Sequence, residues 1–160
     1  MGIDWKLLTQ VRDRHKAVAQ EHVARERAAA AHREAQVLQA QAQLHAQVVA
    51  KTQLWQDTIV KRTEGFSVSE LRDAGNWSRA LDMRIAQAGE SVRHAQLQAA
   101  QQAARLEASR RELRTAAAEL ERAEQMRQRT KSEHARATEN RLDDAADEAA
   151  TQTWISGKAS

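Results

Sequence analysis

The sequence of 160 residues contains no cysteine, no proline, no tyrosine and one phenylalanine. Without cysteine there is no disulfide scaffold, and the scarcity of aromatic and β-branched runs with turn residues between them argues against a sheet. The longest uninterrupted apolar run is residues 28–31, whereas a membrane-spanning helix needs about 18 or more. The chain has no hydrophobic segment typical of a signal peptide, so we expect a cytoplasmic protein.

The chain is instead rich in alanine and in charged residues. Ala, Glu, Lys, Leu and Arg together supply 84 of the 160 residues, a composition typical of coiled coils and long helices. Leu, Ile, Val and Phe total only 26, which is low enough to make intrinsic disorder the main competing interpretation. The net charge of +3 and the abundance of strong helix formers favour helices that pair with each other.

The few residues that end or begin helices divide the chain into two long elements. Asp4 is a candidate N-cap, and the first internal glycine, Gly65, follows a turn that carries Lys61 and Arg62. We therefore predict helix one over about 5–63 and a turn at about 64–67. Helix two should cover about 68–152, with a frayed tail at 156–160. The residues expected to form the turn are Gly65, Phe66, Ser67, Glu70 and Leu71, in which Ser67 and Glu70 have the spacing of a capping box.

Two long helices joined by a short turn must lie antiparallel. The predicted fold is therefore all-α: a single long antiparallel two-helix coiled-coil hairpin over 1–160, with a carboxyl-terminal overhang of helix two of some 15 to 25 residues. Gly75 is a weak point at which helix two could break, but the hydrophobic lane continues through it.

The predicted seam of the hairpin is regular on helix two and irregular on helix one. On helix two a heptad lane of large residues alternates with small residues three positions later, which lets two backbones approach closely. On helix one we see an eleven-residue pattern, typical of little supercoiling; its Ala-rich stretch at 20–36 could equally be a spacer. The seam residues expected are Leu81, Ile85, Val92, Leu106, Leu113 and Leu120 on helix two and Leu44 and Trp55 on helix one.

No pattern for catalysis or for cofactor binding occurs. The five glycines are isolated, so there is no phosphate-binding loop, and the six histidines have no metal-ligand spacing. The sequence pI near 9.7 raises the possibility of nucleic-acid binding, but Glu107, Glu112, Glu119 and Glu121 interleave with the arginines around Arg110. This interleaving favours a salt-bridged solvent face. We expect no enzymatic activity, no cofactor, no nucleic-acid partner and no insertion into a membrane.

The carboxyl-terminal end has a distinct composition. Residues 143–160 carry four acidic side chains and one basic one, and an aromatic and a large aliphatic residue follow the acidic cluster. This composition indicates either a docking end for a partner or simply a solvated helix end. The residues proposed to bind a partner are Leu142, Asp143, Asp144, Asp147, Glu148 and Trp154.

The predicted hairpin has an acidic stretch with small residues at 139–149 and an aromatic residue, Trp154, near its end. With this length and composition, it resembles the FliJ/YscO-like family of type III secretion stalk proteins. The resemblance implies a cytoplasmic central stalk or adaptor at the membrane secretion apparatus. It also implies docking on the hexameric export ATPase and contact with the cytoplasmic domain of the export gate; some members also bind export chaperones. The alternative is a generic structural coiled coil that self-associates.

Overall fold

The computed structural model describes residues 2–159 and consists of two helices. Helix α1 spans Trp5–Glu64 and helix α2 spans Val68–Lys158, with 60 and 91 residues respectively. Residues 65–67 connect them. The chain is thus an all-α antiparallel two-helix hairpin, as predicted, and the described residues contain no strand.

Local signals in the sequence explain where the helices begin and end. The Asp4 carboxylate accepts a hydrogen bond from the backbone N–H of Leu7 over 3.1 Å, which caps α1. At the start of α2 the N–H of Glu70 donates to the Ser67 hydroxyl and the N–H of Ser67 donates to the Glu70 carboxylate, each over 3.2 Å. Both capping predictions are confirmed. Gly65 ends α1 with a φ of +84°, a backbone conformation that favours glycine.

Helix α2 differs from the prediction at its end. It is unbroken at Gly75. It continues to Lys158, past the predicted end near residue 152 and into the stretch 156–160 that we expected to be frayed. In that last stretch the Lys158 ammonium lies 4.0 Å from the centre of the Trp154 ring, and the N–H of Ala159 donates to the carbonyl of Ile155 over 3.2 Å. A cation in the last turn also interacts favourably with the helix dipole. These contacts lie in the last turn of α2 and at its end.

The helix contacts divide the hairpin into two compact units. The first combines Met1–Gln20 with Glu112–Ser160, and the second is Glu21–Arg111. In both units α1 and α2 pack through a seam of buried and half-buried residues spaced alternately three and four apart. This spacing is the heptad pattern of coiled-coil packing.

In the second unit the cross-helix hydrogen bonds show the antiparallel register directly. Gln102 bonds to Glu26 across a sequence separation of 76 residues, Arg33 to Gln98 across 65 and Lys51 to Asp82 across 31. The separation falls as one moves along α1, as it must when the two helices run in opposite directions. On α1 the buried and half-buried residues of this unit are Val23, Glu26, Ala30, Arg33, Val37, Ala40, Leu44, Gln47, Lys51, Leu54 and Thr58, among others.

In the first unit the same heptad spacing holds over a shorter length. Trp5, Thr9, Arg12, Lys16 and Ala19 form the α1 side. Arg12 forms an ion pair with Glu119 of α2, and Leu120 and Ala123 are buried. The seam ends near residue 130, because every residue from 131 to 159 is exposed.

On α2 the buried and half-buried positions coincide with the predicted seam residues, and on α1 they do so only in part. Each of the predicted α2 residues is buried or half-buried: Leu81, Ile85, Val92, Leu106, Leu113 and Leu120. So is Leu44 on α1. The eleven-residue pattern for α1 is wrong, because Leu7, Val11 and Val18 are exposed and the buried positions repeat every seven residues.

Trp55 is also placed wrongly by the prediction. It is exposed, and the half-buried seam residue in that turn of α1 is its neighbour Leu54. Trp55 lines an open groove with Ile59, Phe66 and Val68, beside the connection between the helices. Leu54 lines a second groove together with Trp77. One residue along a helix turns a side chain by about 100°, which is enough to move the indole out of the seam.

Candidate docking surface on the distal segment of helix α2

The candidate site is the part of α2 that α1 does not cover, residues 131–158, which we call the distal segment. It contains 28 residues, counted from its bounds, and at 1.5 Å per residue measures about 42 Å. The overhang is thus longer than the predicted 15 to 25 residues. All its described side chains are exposed, so it offers a continuous helical surface to a partner.

The acidic residues predicted to bind a partner fall on one side of this helix together with the large carboxyl-terminal residues. At 100° per residue, Asp144, Asp147, Glu148, Trp154 and Ile155 lie within about one third of the circumference. Trp154 and Ile155 are 62% and 56% exposed. Large apolar side chains at this exposure, next to carboxylates, are typical of a recognition surface.

Leu142 belongs to a different face. It is 65% exposed and shares its side of the helix with Ala135, Ala146 and Ala149. Asp143 lies towards the acidic side. The six residues predicted as a single partner-binding set therefore occupy two faces of the distal segment, one acidic and aromatic, the other formed by Leu142 and small residues.

The backbone of the distal segment is held by its own helical bonds and a few local side-chain contacts. The hydroxyl of Thr151 donates to the carbonyl of Asp147 and that of Thr153 to the carbonyl of Ala149, each over 2.8 Å. Arg129 and Glu133 form an ion pair of 3.4 Å at its amino-terminal edge. Exposed pairs of this kind stabilise a helix by only a few tenths of a kcal/mol, about 0.3–0.5, so packing against a partner would add most of the available stability.

A second exposed apolar surface lies beside the connection between the helices. Trp55, Ile59, Phe66, Val68 and Leu71 line an open groove there. Ile59 and Val68 are 63% and 76% exposed. Of the predicted turn residues, Phe66 and Leu71 thus contribute to an apolar groove, whereas Ser67 and Glu70 cap the helix. The sequence pattern indicated only their place in the turn.

Among residues 2–159 no group of three or more His, Asp or Glu is arranged to hold a metal ion. Within the described residues, neither helix has a stretch long and apolar enough to cross a membrane. Comparison with known proteins found no matching family model, no matching curated protein and no matching solved structure.

Proposed function

We propose that this chain is a non-enzymatic stalk or adaptor of a bacterial type III secretion system. In this proposal the distal segment docks on the hexameric export ATPase, and the protein links that ATPase to the cytoplasmic domain of the export gate, with export chaperones as further partners. The proposal starts from the resemblance of the chain to the FliJ/YscO-like family.

One observation carries the proposal: α2 continues for 28 residues beyond its seam with α1 and exposes Trp154 and Ile155 beside a cluster of carboxylates. A helix that is polar all round gains little by extending into solvent. Large apolar residues at its end cost solubility unless a partner covers them. An acidic, aromatic-tipped helix fits a basic cavity or groove in a partner protein.

The test is stimulation of a purified hexameric export ATPase from the same organism. The full chain should raise the rate of ATP hydrolysis, and a chain lacking residues 139–160 should not. Because no α1 residue covers that stretch, the truncated protein should keep the helical content and unfolding midpoint of its hairpin. Stimulation by the truncated chain would contradict docking through the distal segment.

A set of matched variants separates a specific role of the acidic face from a general effect of charge. In the first variant Asp143, Asp144, Asp147 and Glu148 become the corresponding amides. In the control the same number of exposed acidic residues elsewhere is changed in the same way: Asp13, Glu34, Glu64 and Asp73. We expect the first variant to lose stimulation and the control to keep it, although both change the net charge equally.

The second candidate function is a structural coiled coil that self-associates without an ATPase. The observation in its favour is the exposure of large apolar residues on α1 away from the seam, with Leu7, Val18 and Leu38 at 57%, 60% and 67%. Light scattering over a concentration series discriminates the two candidates. The structural candidate predicts a mass that rises with concentration even after residues 139–160 are removed, and no effect on the ATPase.

A further inference from the structure

Four of the six large apolar residues that α1 exposes in the second unit lie on one flank of the hairpin. With the seam residues at heptad positions a and d, positions e and b of α1 form a lane along this flank. The lane consists of Leu38, Gln41, His45, Val48, Thr52, Trp55 and Ile59. It contains no lysine, arginine, aspartate or glutamate. Its spacing, alternately three and four residues, is that of a second coiled-coil seam.

This lane forms one wall of an open groove beside the seam. At one end Leu38 shares a pocket with Gln96 of α2, and at the other end Trp55 and Ile59 share a pocket with Val68 of α2. Both α2 residues occupy heptad position e. In an antiparallel pair the e positions of the two helices lie on the same side of the seam, so the two pockets belong to one groove.

The groove has room for a third helix. Gly75 and Gly89 also occupy position e of α2, and a Cβ added to either would meet no atom within 4 Å. Three helices in mutual contact lie at the corners of a triangle, so a third helix would stand about 60° round each helix from the seam. Position e then points within about 20° of the third helix, and position b lies at the edge of the interface, about 70° away.

The charged residues that border the groove near the connection are basic. Arg62 lines the groove on α1, and Arg72 and Arg79 lie at position b of α2, where both are exposed. None of the three forms an ion pair with another described residue, whereas Asp82 at position e is paired with Lys51. A docked helix with carboxylates along that edge would therefore meet unpaired arginines.

Farther from the connection the charges differ. Arg93 at position b of α2 is paired with Glu90, and Glu34 lines the groove on α1. The preference for carboxylates is therefore confined to the half of the groove nearer the connection.

The groove on the opposite flank carries the reverse charge. Beside the connection it is lined by Asp57, Glu70 and Asp73, with Lys61 as its basic residue. A helix with an acidic edge is repelled there and attracted to the first groove, so the charges select the side of the hairpin on which it docks.

We propose that the groove beside residues 38–62 of α1 receives an amphipathic helix of a partner protein. The apolar face of that helix packs on Val48, Trp55 and Ile59, and aspartate or glutamate along one edge faces Arg72 and Arg79. The docked helix completes a three-helix coiled coil, which is a helix-in-groove mode of recognition. Since the proposed function uses the distal segment, this inference goes beyond it.

The acidic part of the chain itself does not have the required arrangement. In residues 142–158, Asp144 lies within about 20° of Ile155 round the helix, so packing the apolar side chain into a groove would also bury the carboxylate. The occupant is therefore a helix of another protein and not the distal segment of a second copy.

The first experiment uses a fluorescein-labelled peptide of about 25 residues, with leucines alternately three and four apart and glutamates along one edge of that face. A second peptide has lysine in place of each glutamate. Titration of the full chain into a trace of peptide, followed by fluorescence anisotropy, should give micromolar affinity for the glutamate peptide and about tenfold weaker binding of the lysine peptide. Equal affinities, or no binding of the glutamate peptide up to about 1 mM, would overturn the proposal.

Neighbouring residues of similar exposure provide the control for the apolar wall. Ile59 lies in the lane and is 63% exposed, whereas Val60 lies towards the other flank and is 59% exposed. Ile59→Glu should weaken binding of the glutamate peptide about tenfold, and Val60→Glu should change it by less than about twofold. Neither residue is in the seam, so circular dichroism should show both variants folded. Equal losses in the two variants would place the peptide outside the groove and contradict the inference.

Reversing the basic edge tests the charge of the partner. R72E/R79E should bind the lysine peptide better than the glutamate peptide. R84E/R105E makes the same change in net charge at exposed residues of the other flank and should keep the original preference. If R72E/R79E still preferred the glutamate peptide, the acidic edge would be ruled out.

Two further measurements separate this groove from other surfaces. Self-association of the chain that Ile59→Glu abolishes, observed by sedimentation velocity, would show that a second copy covers the groove and would overturn the proposal. Ile59→Glu should keep the ATPase stimulation expected of the distal segment, so failure of the peptide to bind and failure to stimulate the ATPase are distinguishable.

Discussion

The side-chain amide of Gln102 on α2 donates to the carboxylate of Glu26 on α1 and, over 3.3 Å, to the backbone carbonyl of the same residue. Gln102 is buried and occupies a heptad position of the seam. A polar residue at such a position fixes the register of a coiled coil at some cost in stability. Since no buried side-chain nitrogen or oxygen of the described residues lacks a partner, the polar seam is satisfied throughout those residues.

Replacing Gln102 with alanine should lower the free energy of unfolding by about 1–3 kcal/mol, because the half-buried Glu26 carboxylate loses its cross-helix donor. Urea denaturation followed by circular dichroism measures the change. Gln101→Ala is the matched control, since Gln101 is exposed and its replacement should change stability by less than about 0.5 kcal/mol. Equal effects of the two substitutions would show that the bond to Glu26 contributes nothing.

Leu81→Ala should be among the more damaging single substitutions in the second unit. Leu81 is 2% exposed, and removing a buried leucine side chain costs about 2–5 kcal/mol. Leu97→Ala makes the same chemical change at a residue that is 58% exposed, where little packing is lost. If the Leu97 variant had a melting temperature as low as that of the Leu81 variant, the seam would have been assigned to the wrong face of α2.

Two glycine substitutions should shift stability in opposite directions. Gly75 is helical, and a Cβ added to it would meet no atom within 4 Å, so Gly75→Ala should stabilise α2 by about 1 kcal/mol. Gly65 has a positive φ, so Gly65→Ala should destabilise the hairpin by about 1–2 kcal/mol. Thermal melts of the two variants and the original chain show whether each substitution raises or lowers the unfolding temperature.

Loss of the cap at the start of α2 should cost about 1 kcal/mol in Ser67→Ala, because the N–H of Glu70 loses its acceptor. Ser69→Ala removes the same hydroxyl two residues further on, at an exposed position. We expect this control to match the original chain or to exceed it slightly, since alanine is the better helix former. If Ser69→Ala were the more destabilising of the two, the cap would be assigned to the wrong serine.

Hydrogen exchange should distinguish the two parts of α2 in the first unit. Backbone amides at 116–123 lie in the seam and should exchange slowly, whereas amides of the distal segment should exchange close to the rate of a fraying helix. Mass spectrometry of peptides provides the measurement. Equal protection of the two regions would show that the distal segment is packed against another surface and not exposed.

The sequence predicted α2 better than α1, and the reason lies in the seam residues. On α2 the heptad positions hold large apolar residues such as Ile85, Leu106 and Leu113, so the hydrophobic repeat can be recognised in the sequence. On α1 they hold Arg12 and Lys51 as well as valine and leucine. Long basic side chains can cover apolar surface with their stems while the charged ends reach a partner, and a hydrophobicity pattern does not reveal them.

The sequence indicated where the candidate site lies along the chain but not how its side chains are arranged around the helix. The acidic cluster and Trp154 mark the end of α2 in the sequence, and the structure leaves both exposed. That Leu142 lies on a different face from Asp147 and Trp154 follows only once the helix is known to be continuous to Lys158. The identity of the partner depends on surfaces of another molecule, which no residue of this chain specifies.

The connection between the helices has a consequence for how strongly they are held together. Only Gly65, Phe66 and Ser67 separate α1 from α2, so within the second unit each helix meets the other at the effective concentration of a very short linker, of millimolar order or above. Because the seam relies on alanine and on hydrogen-bonded polar residues, its pairing depends on this high effective concentration. Cutting the chain at Gly65 would make pairing of the fragments bimolecular, and we expect them to separate on dilution.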